Sequence, residues 1–138
     1  MIYQNTLHIK TLGRGTTNIT PLLAELPGKA GIINGICNIF IRHTSASLVL
    51  CENADPDVRA DLESFLSKLV PDGDIAFQHD TEGPDDMPAH IRSILTDSSL
   101  TLPVSNGCFA LGEWQGIYLY EHRYSPHERT VFVTLYGE

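Results

Sequence analysis

SLTLPVSNGCFALGEWQGIYLYEHRYSPHERTVFVTLYG, residues 99 to 137, decides the fold class. Successive side chains of a strand point to opposite faces, and a period of two runs through 99–104, 108–111, 117–124 and 130–136. Asn106 followed by Gly107 is a two-residue hairpin signal between the first two segments, because a type I′ turn needs positive φ at both central positions. Strands joined by such short turns pair antiparallel, whereas a parallel sheet needs long crossovers. Toward the N-terminus, 2–11 and 32–42 alternate in the same way and 46–50 continues as a short strand. Between the first two lies a turn-rich stretch (GRGTTN, Pro21, Pro27, Gly28) around the apolar patch LLAEL.

Two helices interrupt the strands. Asp55 is an N-cap followed by Pro56 at the first helical position, Val58, Leu62, Phe65, Leu66 and Leu69 form one stripe, and Pro71 with Gly73 ends the run. The second helix is signalled by Asp85 and Asp86 as caps, Pro88 in the first turn, and Met87, Ile91, Ile94 and Leu95 on one face. With no repeat, linker or low-complexity tract, the expectation is one α+β domain over 1–138, mainly antiparallel β-sheet with two main helices.

A chain of 138 residues buries roughly 68% of its unfolded surface, enough for a core without staples. Cys37, Cys51 and Cys108 are an odd, widely spaced set, and MIYQNTLHIK lacks a signal-peptide apolar run, so a reduced cytoplasmic setting is expected. No stretch approaches the roughly 20 apolar residues of a membrane span. Seventeen acids against nine bases, with no Lys/Arg cluster, offer no footprint for nucleic acid or an anionic membrane.

The chemistry concentrates in HDTEGPDDMPAH, 79 to 90, where two histidines and four carboxylates (Asp80, Glu82, Asp85, Asp86) stand without Lys or Arg. Like charges so gathered call for a cation, fixed hydrogen bonds or full solvation. His79 reads as the end of a short strand with Ile75 and Phe77 on its side, His43 shares a face with Ile39 and Ile41, and His122 with Tyr118 and Tyr120. His90 flanks the apolar stripe of the second helix, as Asp61 flanks that of the first. One such histidine alone reads as a satisfied core-edge residue. Four together point to His79, His90 and His122 converging on one metal-binding pocket with His43 close by, and to a His122 that contributes little packing.

Spacing adds little, since the step from His79 to His90 matches no short metal motif and HExxH is absent. Neither GxGxxG nor a P-loop occurs. Cys51 beside Glu52 is a candidate nucleophile that, without a base partner in the sequence, reads rather as a buried small residue, HTSAS at 43–47 offers hydroxyls to an anion or to a turn, and Trp114 is a stacking platform or a core or turn residue. Arg123 is a phosphate clamp or a structural ion pair.

At HTSAS, ENADPDV (52–58), HDTEGPDDMPAH and ALGEWQGIYLYEHR (110–123) the chain resembles the YjbQ-like family, also described as secondary thiamine-phosphate synthases. The resemblance covers nearly the whole chain. It implies an α+β fold, a homotrimer with sites near subunit boundaries, and a weak thiamine-phosphate synthase activity on a small phosphorylated substrate. It carries functional positions onto His43, Asp55, His79, Asp80, Asp85, His90, Trp114, Gln115, Glu121, His122 and Arg123. Among them His43, Asp80 and Glu121 are assigned to catalysis, Asp55, Asp85, Trp114, Gln115 and Arg123 to substrate, and His79, His90 and His122 to metal. Related chains often have Asn where Thr81 or Glu82 stands, so those two are left outside the set.

Joining an aminopyrimidine methyl pyrophosphate to a thiazole phosphate needs a cation to neutralise the leaving group, and an acidic pocket without one would repel both reactants. A divalent metal is therefore expected: zinc-like with three imidazoles, magnesium or manganese with carboxylates. The competing expectation is a trimeric protein that holds a metal or small ligand without turnover, since no complete set of nucleophile, base and orienting group stands out.

Overall fold

The computed structural model describes residues 1–138. Its strands are β1 (Ile2–Lys10), β2 (Gly15–Asn18), β3 (Gly35–Ile41), β4 (Ala46–Glu52), β5 (Ser99–Ser105), β6 (Cys108–Phe109), β7 (Gln115–Glu121) and β8 (Glu128–Gly137). Its helices are α1 (Thr20–Ala24), α2 (Leu26–Ala30), α3 (Pro56–Leu69) and α4 (Asp86–Leu95). A five-stranded sheet runs β1-β8-β3-β5-β6 and a three-stranded sheet β2-β7-β4, antiparallel throughout. The Asn106–Gly107 hairpin forms as its residues require, with φ of 54° and 77° and Ser105 opposite Cys108.

Chain neighbours β3 and β4 lie in different sheets, as do β7 and β8. Both sheets feed one core: Ile39, Leu102 and Val133 from the larger, Leu48, Ile117 and Leu119 from the smaller. The turn-rich stretch contributes two single-turn helices that sequence periodicity does not reveal, and Leu23 and Leu26 of the LLAEL patch are buried in the same core. No helix is long and apolar enough to cross a membrane.

Three local expectations need correction. Residues 71–85 form a loop of turns instead of a strand ending at His79, and Ile75 is fully exposed. The apolar stripe of α3 does not enter the core, for Leu62, Phe65 and Leu69 are exposed and the helix has no buried residue. On α4 the buried residues are Asp86, Pro88, Ala89 and Arg92, while Ile94 and Leu95 face out.

The reason lies in the sheet face these helices meet. Ile117 and Leu119 of β7 point into the core, so Tyr118, Tyr120 and then His122 point the other way, with Ser47 of β4 directly opposite Tyr120. Buried polar tips need partners. The helices accordingly turn charged residues inward: Arg59 stacks over Tyr118 at 4.8 Å, Arg92 lies 5.3 Å from the Tyr120 ring centroid, and Glu63 accepts from the Tyr120 hydroxyl at 2.8 Å.

Candidate metal centre

Asp86 and His90 are four residues apart on α4 and therefore share a face. The 71–85 loop brings His79 against them. Nε2 of His79 stands 2.6 Å from Oδ2 of Asp86, and Nε2 of His90 stands 3.2 Å from the same oxygen. The three ligand atoms lie within 4.8 Å of one another, and the two imidazole rings meet edge-on at 5.3 Å. Two atoms each about 2 Å from a tetrahedral metal stand about 3.3 Å apart, so this spacing accepts a cation after a small retreat of the loop histidine.

Tautomers sharpen the fit. Nδ1 of His90 lies 3.0 Å from the Thr44 carbonyl oxygen, which can only accept, so that nitrogen carries a proton. In a neutral His90 ring, Nε2 is then a lone pair aimed at a carboxylate. A cation between them, whether a proton or a metal, removes the conflict. The Thr44 carbonyl also fixes the ring as outer hydrogen bonds fix metal-bound histidines.

Asp86 is itself held. Its other oxygen, Oδ1, accepts from Arg123 Nη1 at 2.8 Å, while Arg123 Nε donates to Asp85 at 3.0 Å and Nη2 to the Glu82 carbonyl at 2.8 Å. Arg123 is thus spent on the loop and the start of α4, the ion-pair alternative read from the sequence. Asp85 makes no side-chain cap and accepts instead from Arg123 and from the Tyr124 N–H at 2.9 Å. Burial alone would raise the Asp86 carboxyl, but hydrogen bonding to His79 and the charge of Arg123 outweigh it and hold the group below the usual range. The hydrogen bond to Asp86 raises the exposed His79. A cavity of about 310 Å³ opens on the His79 side, with Asp74 and Asp80 among its lining residues, and one of about 340 Å³ on the His90 side, which includes His43.

His122 is not part of this group, which corrects the expected convergence. It is 0% exposed; Nε2 is 2.8 Å from Ser47 Oγ and Nδ1 accepts from Arg92 Nε at 3.1 Å. Burial first, then the charges of Arg92, Arg14 and Arg129, push its pKa down to about 2, so it is neutral with both nitrogens engaged by protein. Arg92, also 0% exposed, pairs with Glu63 and donates to the Tyr120 hydroxyl at 3.1 Å.

Glu121 is likewise enclosed. It accepts from Thr11 Oγ1 at 2.7 Å, Arg129 Nε at 2.8 Å and the N–H groups of His122 and Arg123, and forms a second contact with Arg129. Nε2 of His43 accepts from the Thr130 N–H at 2.7 Å, and burial, then Arg129, lower its pKa. Asp80 is exposed beside His79. Asp61 is exposed on α3.

Asp55, Trp114 and Gln115 lie elsewhere. Asp55 caps α3 by accepting from the Asp57 N–H at 2.9 Å, Gln115 Oε1 accepts from the Gly112 N–H at 2.7 Å, and the Trp114 carbonyl accepts from the Asn53 N–H at 2.9 Å. Gln115 begins β7 and Glu121 ends it, a span of roughly 20 Å at about 3.3 Å per residue. The sequence reading left out Asp86 as a ligand, although its four-residue step to His90 was the available signal. Arg92, Glu63 and Arg129 were also left out, and nothing local marks them as buried.

Fold and site together define a small antiparallel α+β protein with a His–Asp–His group at a loop–helix junction. The description UPF0047 protein YjbQ-like matches residues 5–138, and the chain belongs to that family. It is 48% identical to a UPF0047 protein of Synechocystis over 99% of this chain and 92% of the relative, and 46% identical to YjbQ of Salmonella typhimurium over 100% of both. Among solved structures it is similar to a YbjQ-like protein of Sulfolobus solfataricus, with a TM-score of 0.90, 25% identity, and coverage of 100% of this chain and 99% of that one. A YjbQ/UPF0047 protein of Clostridium acetobutylicum gives a TM-score of 0.88 at 34% identity, covering 96% and 99%.

Proposed function

We infer that this chain is a metal-dependent enzyme acting on a small phosphorylated metabolite, with His79, Asp86 and His90 as its metal ligands and weak thiamine-phosphate synthesis among its activities. The observation that carries the reading is the His90 ring: Nδ1 is committed as a donor to the Thr44 carbonyl, and Nε2 faces Asp86 at 3.2 Å. Two imidazoles and one carboxylate suit a zinc-like ion and leave coordination sites open. A bound divalent ion would supply charge neutralisation for a phosphate or pyrophosphate group. Arg123 orients Asp86, and exposed Asp80 beside His79 is the carboxylate free to move a proton. Glu121 and His122 serve as framework in this reading, because protein groups occupy their polar atoms.

The same enclosure of Glu121 and His122 favours a second reading, a metal-binding protein without turnover. Assembly as a homotrimer is part of both, and Leu62, Phe65 and Leu69 give α3 an exposed apolar stripe for a neighbouring copy to cover. The test is metal content of protein purified without chelator, then thiamine-phosphate synthesis with and without that metal. Zinc bound in wild type and lost in Asp86→Asn supports the site; stoichiometric zinc without turnover selects the binding protein. Equal zinc content in both proteins removes the assignment. Sedimentation equilibrium giving a monomer at micromolar concentration removes the trimer.

A further inference from the structure

We propose that the cavity between the β3–β4 turn and the C-terminal half of α4 is an oxyanion subsite, which takes the phosphate or carboxylate end of a small metabolite beside the His79–Asp86–His90 group. This deepens the metal reading and touches it at one residue, since His90 lines the cavity and also faces Asp86.

The cavity holds about 340 Å³, and His43, Thr44, Ser93 and Ser98 contribute to its wall with no acidic residue among the lining. It contrasts with the cavity on the His79 side, where Asp74 and Asp80 would repel an anion.

The wall offers donors. Nε2 of His43 accepts from the Thr130 N–H at 2.7 Å, so in the neutral ring the proton sits on Nδ1. Nη1 of Arg129 points at that same Nδ1 from 3.4 Å, so its positive charge lies at the Nδ1 edge of the ring. Both ring nitrogens of His43 thus face protein donors, and the side of the cavity it lines carries positive charge and no free lone pair. Ser93 Oγ is buried without any hydrogen-bond partner, the one such side-chain atom in the chain. A buried hydroxyl left unpaired opposes folding unless a ligand uses it. Ser93 itself lines the cavity, which places that unpaired hydroxyl beside a ligand seated there. The hydroxyls of Thr44 and Ser98 add donors at the rim. Thr96 also lines the space, but its hydroxyl is committed to Ser47 Oγ at 2.6 Å and the Arg92 carbonyl at 2.8 Å. An oxygen-rich anion matches several donors around a space without acids, and a ligand seated there would lie against the His90 ring.

The experiment is calorimetric titration of inorganic phosphate, and separately acetate, into the full chain, both chelator-treated and loaded with one equivalent of zinc. The expected result is saturable millimolar binding of at least one anion to chelator-treated protein, weakened about tenfold by Ser93→Ala and by Thr44→Val, as loss of one hydrogen bond to a charged group predicts. Asp74→Asn, across in the other cavity, leaves it unchanged. Preference for phosphate over acetate identifies a tetrahedral group, and the reverse a carboxylate. Persistence of this pattern in protein that never binds zinc upholds the subsite and removes the metal reading. Anion binding that appears only with zinc and ignores both variants overturns the subsite and keeps the metal. No saturable binding of either anion in either form also overturns it. Circular dichroism of each variant separates misfolding from lost contacts, and Ser98→Ala stands in for any variant that fails to fold.

Discussion

Arg92 and His90, two residues apart on α4, sit in opposite circumstances. Arg92 is sealed between α3 and the small sheet, with its guanidinium divided among Glu63, Tyr120 and His122. His90 faces a loop, is partly open to solvent, and points one nitrogen at a carboxylate that another histidine also approaches. One histidine of the protein, His122, has both ring nitrogens satisfied internally; two others, His79 and His90, converge on one oxygen. Polar groups in a core are stable when every donor meets an acceptor. Groups whose lone pairs and charges remain in conflict mark a place completed by something else, and the two sides of α4 separate framework from function on that criterion.

Cutting the framework should have the largest effect. Arg92→Met keeps bulk but strips Glu63 and His122 of a shared partner, and removing one member of a buried ion pair costs about 3 kcal/mol or more. Denaturant unfolding measures it, and a loss under about 1 kcal/mol would mean that the network is not a stabilising unit. His122→Gln follows at about 2 kcal/mol, because a buried ring is shortened and bonds to Ser47 and Arg92 are disturbed. That outcome reverses the sequence-based expectation that His122 contributes little packing.

The pH dependence sharpens the same contrast. In the folded chain His122 refuses a proton until about pH 2, while in the unfolded chain it takes one near the ordinary 6.5. Below 6.5 the unfolded state therefore binds more protons, and stability falls as pH falls, by at most about 1.4 kcal/mol per pH unit for this one group. The stability gap between wild type and His122→Gln should accordingly narrow from pH 7 to pH 5, where the carboxylates stay ionised. His43, also lowered, and His79, raised, titrate in both proteins and cancel from the gap. A gap that holds constant across that range would mean that His122 is not kept neutral by the fold.

How much of this was legible in the sequence follows the range of the interactions. Alternation and the Asn106–Gly107 turn are local, and the hairpin and the strands they predict are present, except the short strand expected to end at His79. Asp55 and Pro56 likewise open α3 where expected. The facing of α3 and α4 was not legible, since a hydrophobic stripe indicates burial only when the opposing surface is apolar, and here that surface carries Ser47, Tyr118, Tyr120 and His122. His79 and His90 were marked correctly as neighbours, because a short acidic segment joins them. His122 was grouped with them because a buried face looks the same in sequence whether it meets a pocket or a helix.

The smallest stability effect belongs to the open side. His79 sits on a loop with nearly half its side chain exposed, its contact with Glu82 is made in solvent, and buried Asp86 keeps Arg123 as a partner when His79 is replaced. Surface substitutions away from special features change stability by about 0.5 kcal/mol or less. His79→Gln should therefore leave the melting temperature almost where it was, while zinc affinity falls at least about tenfold, the range known for disturbed metal shells. The amide retains a polar atom for Asp86 but replaces the imidazole nitrogen, so the two readouts part company only if that nitrogen binds metal. Thermal unfolding beside competition with a colorimetric zinc chelator measures both. Were zinc affinity unchanged and the melting temperature lowered as much as in His122→Gln, His79 would be a loop anchor and the two sides of α4 would be the same kind of structure.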